Sequence, residues 1–78
     1  MPRASDPVLK ELARRVCVAR ERAGLTQEAV AARASIDYKR YQRIEQGVVN
    51  PTIKTLERVA GAMDLEVWQL LSSGGAKR

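Results

Sequence analysis

The side chains that could do chemistry in this sequence are concentrated in one short segment, residues 38–46. Drawn as a helix, the segment has one polar side, formed by Tyr38, Lys39, Gln42, Arg43 and Gln46. Ile44 and most of the Tyr41 ring lie on the opposite side, which favours a protein core. Lysine, arginine and glutamine side chains hydrogen-bond to base edges in a DNA major groove, and the polar side holds no acidic residue to repel phosphate. The pattern therefore fits a DNA recognition helix, and an ordinary solvated helix face would explain the same residues taken alone.

The composition of the chain excludes much other chemistry. Its 78 residues, with a mass of 8.7 kDa, suit one small domain. There is no histidine, and the single cysteine, Cys17, allows neither an internal disulfide nor a multi-thiolate metal site. The sequence also lacks a phosphate-cradling glycine loop and a nucleophile paired with a base. We therefore expect no catalytic residue, metal, cofactor or enzymatic activity, and we interpret Cys17 as structural rather than as a redox switch.

The charge balance favours an anionic partner. Fourteen lysines and arginines against nine acidic residues give a net charge of +5 and an isoelectric point near 10.0, as in many nucleic-acid-binding domains. A solvated basic surface would explain the charge alone equally well. The chain has no apolar run of 18 residues and no apolar stretch at its amino terminus. We expect a cytoplasmic protein without membrane contact.

Caps and breakers divide the chain into five segments with apolar residues at helical spacing, so we predict an all-α, compact five-helix bundle. The first helix is expected from the N-cap Asp6 to a stop at Gly24. The second begins at Thr26. The third extends from the N-cap Asp37 to Gly47.

The last two helices are predicted from their apolar sides. The fourth opens at residues 51–52, and its inward side is formed by Ile53, Leu56, Val59, Ala60 and Met63. The fifth is short and carries Val67, Leu70 and Leu71. We interpret residues 1–6 as an N-terminal arm, residues 7–71 as the DNA-binding domain, and the polar, glycine-containing residues 72–78 as a flexible C-terminal tail.

The second and third helices have the arrangement of a helix-turn-helix, because only the small, polar residues 34–37 separate them. Leu12 to Leu71 resembles the Xre family of helix-turn-helix regulators, which are related to phage repressors and Cro. The motifs that carry the resemblance are Gly24-Leu25-Thr26-Gln27-Glu28, Arg43-Ile44-Glu45-Gln46-Gly47, Asn50-Pro51-Thr52 and Thr55-Leu56. The resemblance implies a lambda-repressor-like DNA-binding domain, usually dimeric, whose third helix enters the major groove of double-stranded DNA.

The resemblance also implies roles for single residues. It implies base contacts by Tyr38, Lys39 and Arg43, with Gln42 beside them. It implies phosphate contacts by Gln27, Arg40, Asn50, Thr52 and Lys54. Gln27 is also expected to brace the third helix, and Arg20 and Glu45 match positions that form an ion pair between helices one and three. Tyr41 replaces a smaller aliphatic residue. Either the third helix therefore lies slightly further out, or the Tyr41 hydroxyl reaches the edge of the interface.

The fifth helix is the expected dimer interface, formed by Val67, Trp68 and Leu71. Trp68 stands where the family usually has a polar residue, so it either packs over its own domain or anchors a second subunit. We expect a homodimeric transcription regulator on a two-fold related operator, such as a repressor or a restriction-modification controller protein, with RNA polymerase as a further partner. The alternative is an antitoxin or another protein-binding module that uses the same fold to neutralise a partner.

Overall fold

Five α-helices and their connections form residues 6–71, the part of the chain that the computed structural model describes. The helices are α1 (Pro7–Arg22), α2 (Gln27–Ala34), α3 (Tyr38–Gln46), α4 (Ile53–Ala62) and α5 (Val67–Leu71). This confirms the predicted all-α, five-helix architecture. Apart from Asp6, the expected arm and the expected tail at 72–78 lie outside the described residues. Within residues 6–71, no helix is both long enough and apolar enough to cross a membrane.

The first four helices begin where capping side chains predict. The carboxylates of Asp6 and Asp37 each accept hydrogen bonds from the backbone N–H groups two and three residues further on. The hydroxyls of Thr26 and Thr52 each accept one from the N–H group three residues further on. These bonds satisfy donors that the start of a helix leaves without a partner, and each cap contributes about 1 kcal/mol.

Residues in the left-handed region separate the helices around the turn. Gly24, at φ 72°, follows α1, Ser35, at φ 58°, ends α2, and Gly47, at φ 73°, ends α3. At Ser35 the chain reverses so sharply that only residues 35–37 lie between α2 and α3. This short turn holds α3 at a fixed angle against α2.

The core lies between α1, α2, α4 and α5 and one side of α3. Its largest fully buried side chains are Val16, Val30, Tyr41, Ile44, Val59 and Leu70. α2 packs against α3 and α4, and α1 packs against α3 and α5. Because α1 and α2 both pack on α3, only the outer side of that helix is left to solvent.

Ile53, which was expected on the inward side of α4, is exposed, and so is Leu71, which was expected at a dimer interface. Ile53 is 57% exposed because helical side chains point toward the N-terminus, and this first residue of α4 therefore reaches beyond the start of the helix. Leu71 is 47% exposed, since the neighbouring Leu70 takes the core position of α5. Ile53 and Leu71 instead line an apolar groove of about 440 Å³, together with Val8 and Pro51.

Gly47 sets how closely α3 approaches α1. A Cβ atom at this position would lie 3.1 Å from Cδ of Lys10 and 3.2 Å from both the Leu9 carbonyl oxygen and Cα of Lys10. Backbone atoms cannot move aside as a flexible side chain can. Gly24 has nearly the same φ, but nothing lies within 4 Å of its Cβ position.

We predict that Gly47→Ala destabilises the fold more than Gly24→Ala does. The left-handed φ alone costs about 1 kcal/mol at either position, and the contact with α1 adds roughly 1–3 kcal/mol at Gly47. Thermal melts followed by circular dichroism measure both values. Gly61→Ala is a control with the opposite expectation. Gly61 lies inside α4 with open space around it, so this change should increase the free energy of unfolding by about 0.5–1 kcal/mol. Equal losses at Gly47 and Gly24 would mean that α1 does not constrain α3 there.

Candidate nucleic-acid interface

The outer side of α3 carries the four predicted base-contacting residues in two different orientations. Lys39 and Arg43 lie two residues before and two residues after the buried Tyr41, so each is about 160° from Tyr41 around the helix. Both are exposed. Tyr38, 39% exposed, and Gln42, half-buried, lie on one flank. Lys39 and Arg43 therefore point straight away from the core.

The cations of α3 differ from most others in the described range because no protein group compensates them. Residues 6–71 contain eleven lysines and arginines. Seven of these donate to a carboxylate, or to a backbone carbonyl, of the protein, namely Lys10, Arg14, Arg15, Arg20, Arg33, Lys54 and Arg58. Within that range, Arg22 and the three α3 cations Lys39, Arg40 and Arg43 have no such acceptor. α3 therefore presents the positive charge that a polyanion requires.

The one acidic residue of α3, Glu45, is turned away from this outer side. Its carboxylate accepts hydrogen bonds from Nε of Arg20 at 2.7 Å, from Nε2 of Gln27 at 2.9 Å and from the hydroxyl of Tyr41. The Glu45 side chain is only 5% exposed, and that of Arg20 is 16% exposed. A single carboxylate thus joins α1, α2 and α3.

Glu45 remains ionised in spite of its burial. Burial raises the pKa of its carboxyl, but hydrogen bonds from Arg20, Tyr41 and Gln27 lower it by more, and the resulting pKa lies below the ordinary 4.5. The hydrogen bond to Glu45 raises the pKa of the Arg20 guanidinium. Because the pKa of Glu45 is depressed by folding, the stability it contributes is present above pH 4.5 and is lost as the pH falls.

The Tyr41 side chain points into the core. Its ring is fully buried, and its hydroxyl donates to Glu45 rather than reaching the edge of the interface. Burial and the bond to Glu45 raise the pKa of the Tyr41 hydroxyl, which stays protonated as a donor. The spacing of four residues between Tyr41 and Glu45 was a signal for this contact, because such residues are neighbours on a helix surface.

The C-terminal end of α3 is held by a contact that the sequence did not indicate. Nζ of Lys10 donates to the backbone carbonyl of Gln46 at 3.0 Å. The two residues are 36 positions apart, so no local pattern links them. Lys10 also places a cation beside the negative end of the helix dipole, which stabilises α3.

The residues expected to contact phosphate lie on three helices, α2, α3 and α4, and in the loop before α4. Gln27 is the first residue of α2, and its amide nitrogen is bonded to Glu45, which gives the bracing contact. Thr52 caps α4, and Asn50 is exposed in the loop before it. The Lys54 side chain is 88% exposed and 3.4 Å from a carboxylate oxygen of Glu57. Arg40 is exposed on the flank of α3 opposite Gln42.

The three residues expected at a dimer interface share one end of the bundle, on α5. Trp68 is 57% exposed and Leu71 is 47% exposed, whereas Val67 is half-buried. The Trp68 ring is therefore not part of the core of its own domain. Cys17 on α1 is half-buried, and burial raises the pKa of its thiol, which disfavours the reactive thiolate.

A three-residue turn between two short helices, the second with an uncompensated basic outer side, defines a helix-turn-helix DNA-binding protein. The helix-turn-helix family model matches residues 18–67. The chain belongs to this family of Xre-type, lambda-repressor-like proteins and is a DNA-binding transcription regulator.

Two solved structures are similar to this chain. The restriction-modification controller protein C.AhdI from Aeromonas hydrophila is 27% identical, with a TM-score of 0.77, over 80% of this chain and 94% of that one. The hypothetical transcription factor NHTF from Neisseria is 25% identical, with a TM-score of 0.79, over 92% of this chain and 82% of that one. No curated protein matches the sequence.

We predict that Arg20 and Glu45 are energetically coupled. Arg20→Met or Glu45→Gln alone leaves the other charge without its partner in a poorly hydrated site, so the two losses should overlap by about 1–3 kcal/mol in a double-mutant cycle. Chemical denaturation of the wild type, both single variants and the double variant measures the coupling. It should shrink as the pH falls below 4.5, because Glu45 becomes protonated.

The matched control for this cycle is the pair of Glu11 and Arg14 on α1, whose side chains are 45% and 62% exposed. Solvent screens an exposed pair, so its coupling should be much smaller. Simple additivity at Arg20 and Glu45 would show that the ion pair does not fix α3.

Proposed function

We propose that this protein is a sequence-specific regulator that binds a two-fold related operator as a homodimer, with α3 of each subunit in the major groove. The observation that carries the proposal is the set of three cations on α3 that have no acceptor among the described residues. A helix surface with that charge and no acid is suited to a groove lined by phosphates.

Within this proposal, the residues that face DNA form two groups, one that contacts bases and one that contacts phosphates. Base contacts belong to Tyr38, Lys39, Gln42 and Arg43, and phosphate contacts belong to Gln27, Arg40, Asn50, Thr52 and Lys54. The starts of α2 and α4 support the second set, because free N–H groups and a partial positive charge favour a phosphate there. Base contacts specify sequence, whereas phosphate contacts mainly set position.

The dimer half of the proposal is supported by α5. Trp68 and Leu71 are large apolar side chains that face solvent on a domain too small to have a large core. A second α5 would cover them, and tryptophan is among the residues that contribute most to protein interfaces. The likeness to a restriction-modification controller protein and to a hypothetical transcription factor supports a transcription regulator, acting by operator occupancy or through RNA polymerase.

For the dimer, sedimentation at micromolar concentration should give about twice 8.7 kDa. Trp68→Ala should raise the dimer dissociation constant about tenfold or more, since loss of a central aromatic residue typically costs about 2 kcal/mol. Val48→Ala removes another exposed apolar side chain, 45% exposed on the loop after α3, and should leave association unchanged. A monomer at these concentrations, with and without DNA, would contradict a preformed dimer.

Base contacts and phosphate contacts are distinguished by titrating the protein variants with cognate and scrambled duplexes at several salt concentrations. Arg43→Ala should weaken the cognate site by about 1–3 kcal/mol per contact and relax its sequence preference. Lys54→Ala should weaken all duplexes alike and reduce the slope of log K against log salt by roughly one per subunit. In a two-fold complex both subunits lose this contact, so the slope of log K against log salt changes by about two. Half-sites should be centred about 10 base pairs apart, or a multiple of that distance.

Arg14→Ala is the control for both variants, because it removes the same charge from an ion pair on α1. It should alter neither the preference nor the slope appreciably. If Arg43→Ala keeps the full sequence preference while Lys54→Ala removes it, α3 is not the reading helix.

A further inference from the structure

Lys39 and Arg43 are the two cations that point straight out from α3, and their chemistry restricts the DNA they can read. We propose that each operator half-site presents two guanines in the major groove, about two base pairs apart, one bound by Lys39 and the other by Arg43. This inference rests on the proposed function, since it requires α3 to lie in the groove.

The choice of guanine follows from donor and acceptor chemistry. Lysine and arginine side chains carry only hydrogen-bond donors. In the major groove, guanine offers two acceptors, O6 and N7, whereas adenine and cytosine each place an amino donor there and thymine places a methyl group. Guanine is therefore the base whose edge best accepts two donors without opposing either.

The orientation of the two side chains favours bases over phosphates. Lys39 and Arg43 are each about 160° from the buried Tyr41, at the centre of the exposed side. On a helix lying in a groove, the central residues face the floor, where the bases are, and the flanks lie nearer the phosphate walls. Arg40 lies on one flank and is the α3 cation placed for phosphate, and the uncharged Tyr38 and Gln42 on the other flank reach toward base edges beside the central pair.

The charge of the free protein supports the same assignment. Lys39 and Arg43 are four residues apart on one helix side, where like charges repel and destabilise the helix. Among the described residues, neither has a carboxylate or carbonyl acceptor that would offset this repulsion. Two guanine edges would supply the missing acceptors.

The spacing of the two guanines follows from the geometry of α3. Four residues advance the helix by about 6 Å, and stacked base pairs are about 3.4 Å apart, which gives a separation of about two base pairs. Gln46 continues the same row but is the last residue of α3, and Lys10 ties its carbonyl to α1. Lys39 and Arg43 therefore form the cationic pair at the centre of the exposed side, and this pair defines the contact.

The test begins with selection of bound duplexes from random DNA by the full-length protein, followed by replacement of single guanines in the selected site. 7-Deazaguanine lacks N7 but pairs normally, so it should weaken binding roughly tenfold at each of the two positions. Inosine keeps O6 and N7 and lacks only the minor-groove amino group. It is the matched control and should bind nearly as well as guanine.

Variants assign each guanine to its side chain. In Arg43→Ala, affinity should become insensitive to 7-deazaguanine at one position and remain sensitive at the other, and Lys39→Ala should show the reverse. Both side chains are exposed, and circular dichroism melts verify that the variants fold. Gln46→Ala should leave both sensitivities intact.

The possible outcomes distinguish failure of the guanine assignment from failure of the proposed function. Sequence-specific binding to selected sites that lack the guanine pair, or that tolerate 7-deazaguanine, would overturn the guanine assignment and leave the regulator intact. Selection that yields no preferred sequence at any salt concentration would overturn the proposed function together with the inference.

Discussion

The buried carboxylate of Glu45 is the interaction on which the exposed surface of α3 depends. Removing a charge from water costs several kcal/mol unless hydrogen bonds and an opposite charge replace the lost hydration. Arg20, Gln27 and Tyr41 provide that replacement from three different helices. The carboxylate is fully satisfied only when α1, α2 and α3 are all in place. A buried ion pair often stabilises a fold no more than apolar side chains of the same volume would. The main contribution of this site is therefore to fix one orientation of α3.

The same arrangement controls the electrostatic potential of the outer side. α3 contains one acid and three cations, and burial of the acid against Arg20 neutralises it within the fold. The cations on the exposed side keep their full charge. Tyr41 contributes to both regions, because its ring fills the core while its hydroxyl completes the shell around Glu45. A core residue of α3 therefore also holds the acid away from the exposed basic side of the helix.

The sequence predicted those features that depend on neighbouring residues. Helix starts follow from caps such as Asp37, and the end of α3 follows from Gly47, because both act within three residues. Ile53 was misplaced because a helical repeat does not show that the side chain of the first residue of α4 points beyond the start of the helix. The contact between Lys10 and Gln46 was missed because it depends on how two helices pack, which no local spacing encodes. The resemblance to a family indicated the Arg20 and Glu45 pair, which local periodicity alone does not link.

The arrangement of helices also separates the two surfaces on which the proposed regulator relies. α5 packs on α1 and α4, and α1 and α2 pack on α3, so the exposed tryptophan and the basic outer side belong to different helices. The described part of the molecule measures 34 × 34 × 20 Å. Two subunits joined edge to edge have centres about one molecular width apart, and successive major grooves on one face of DNA are about 34–36 Å apart. A domain of this size needs no further segment to span one helical turn. Subunit association through α5 would then set the distance between the two reading helices without using any residue that contacts a base.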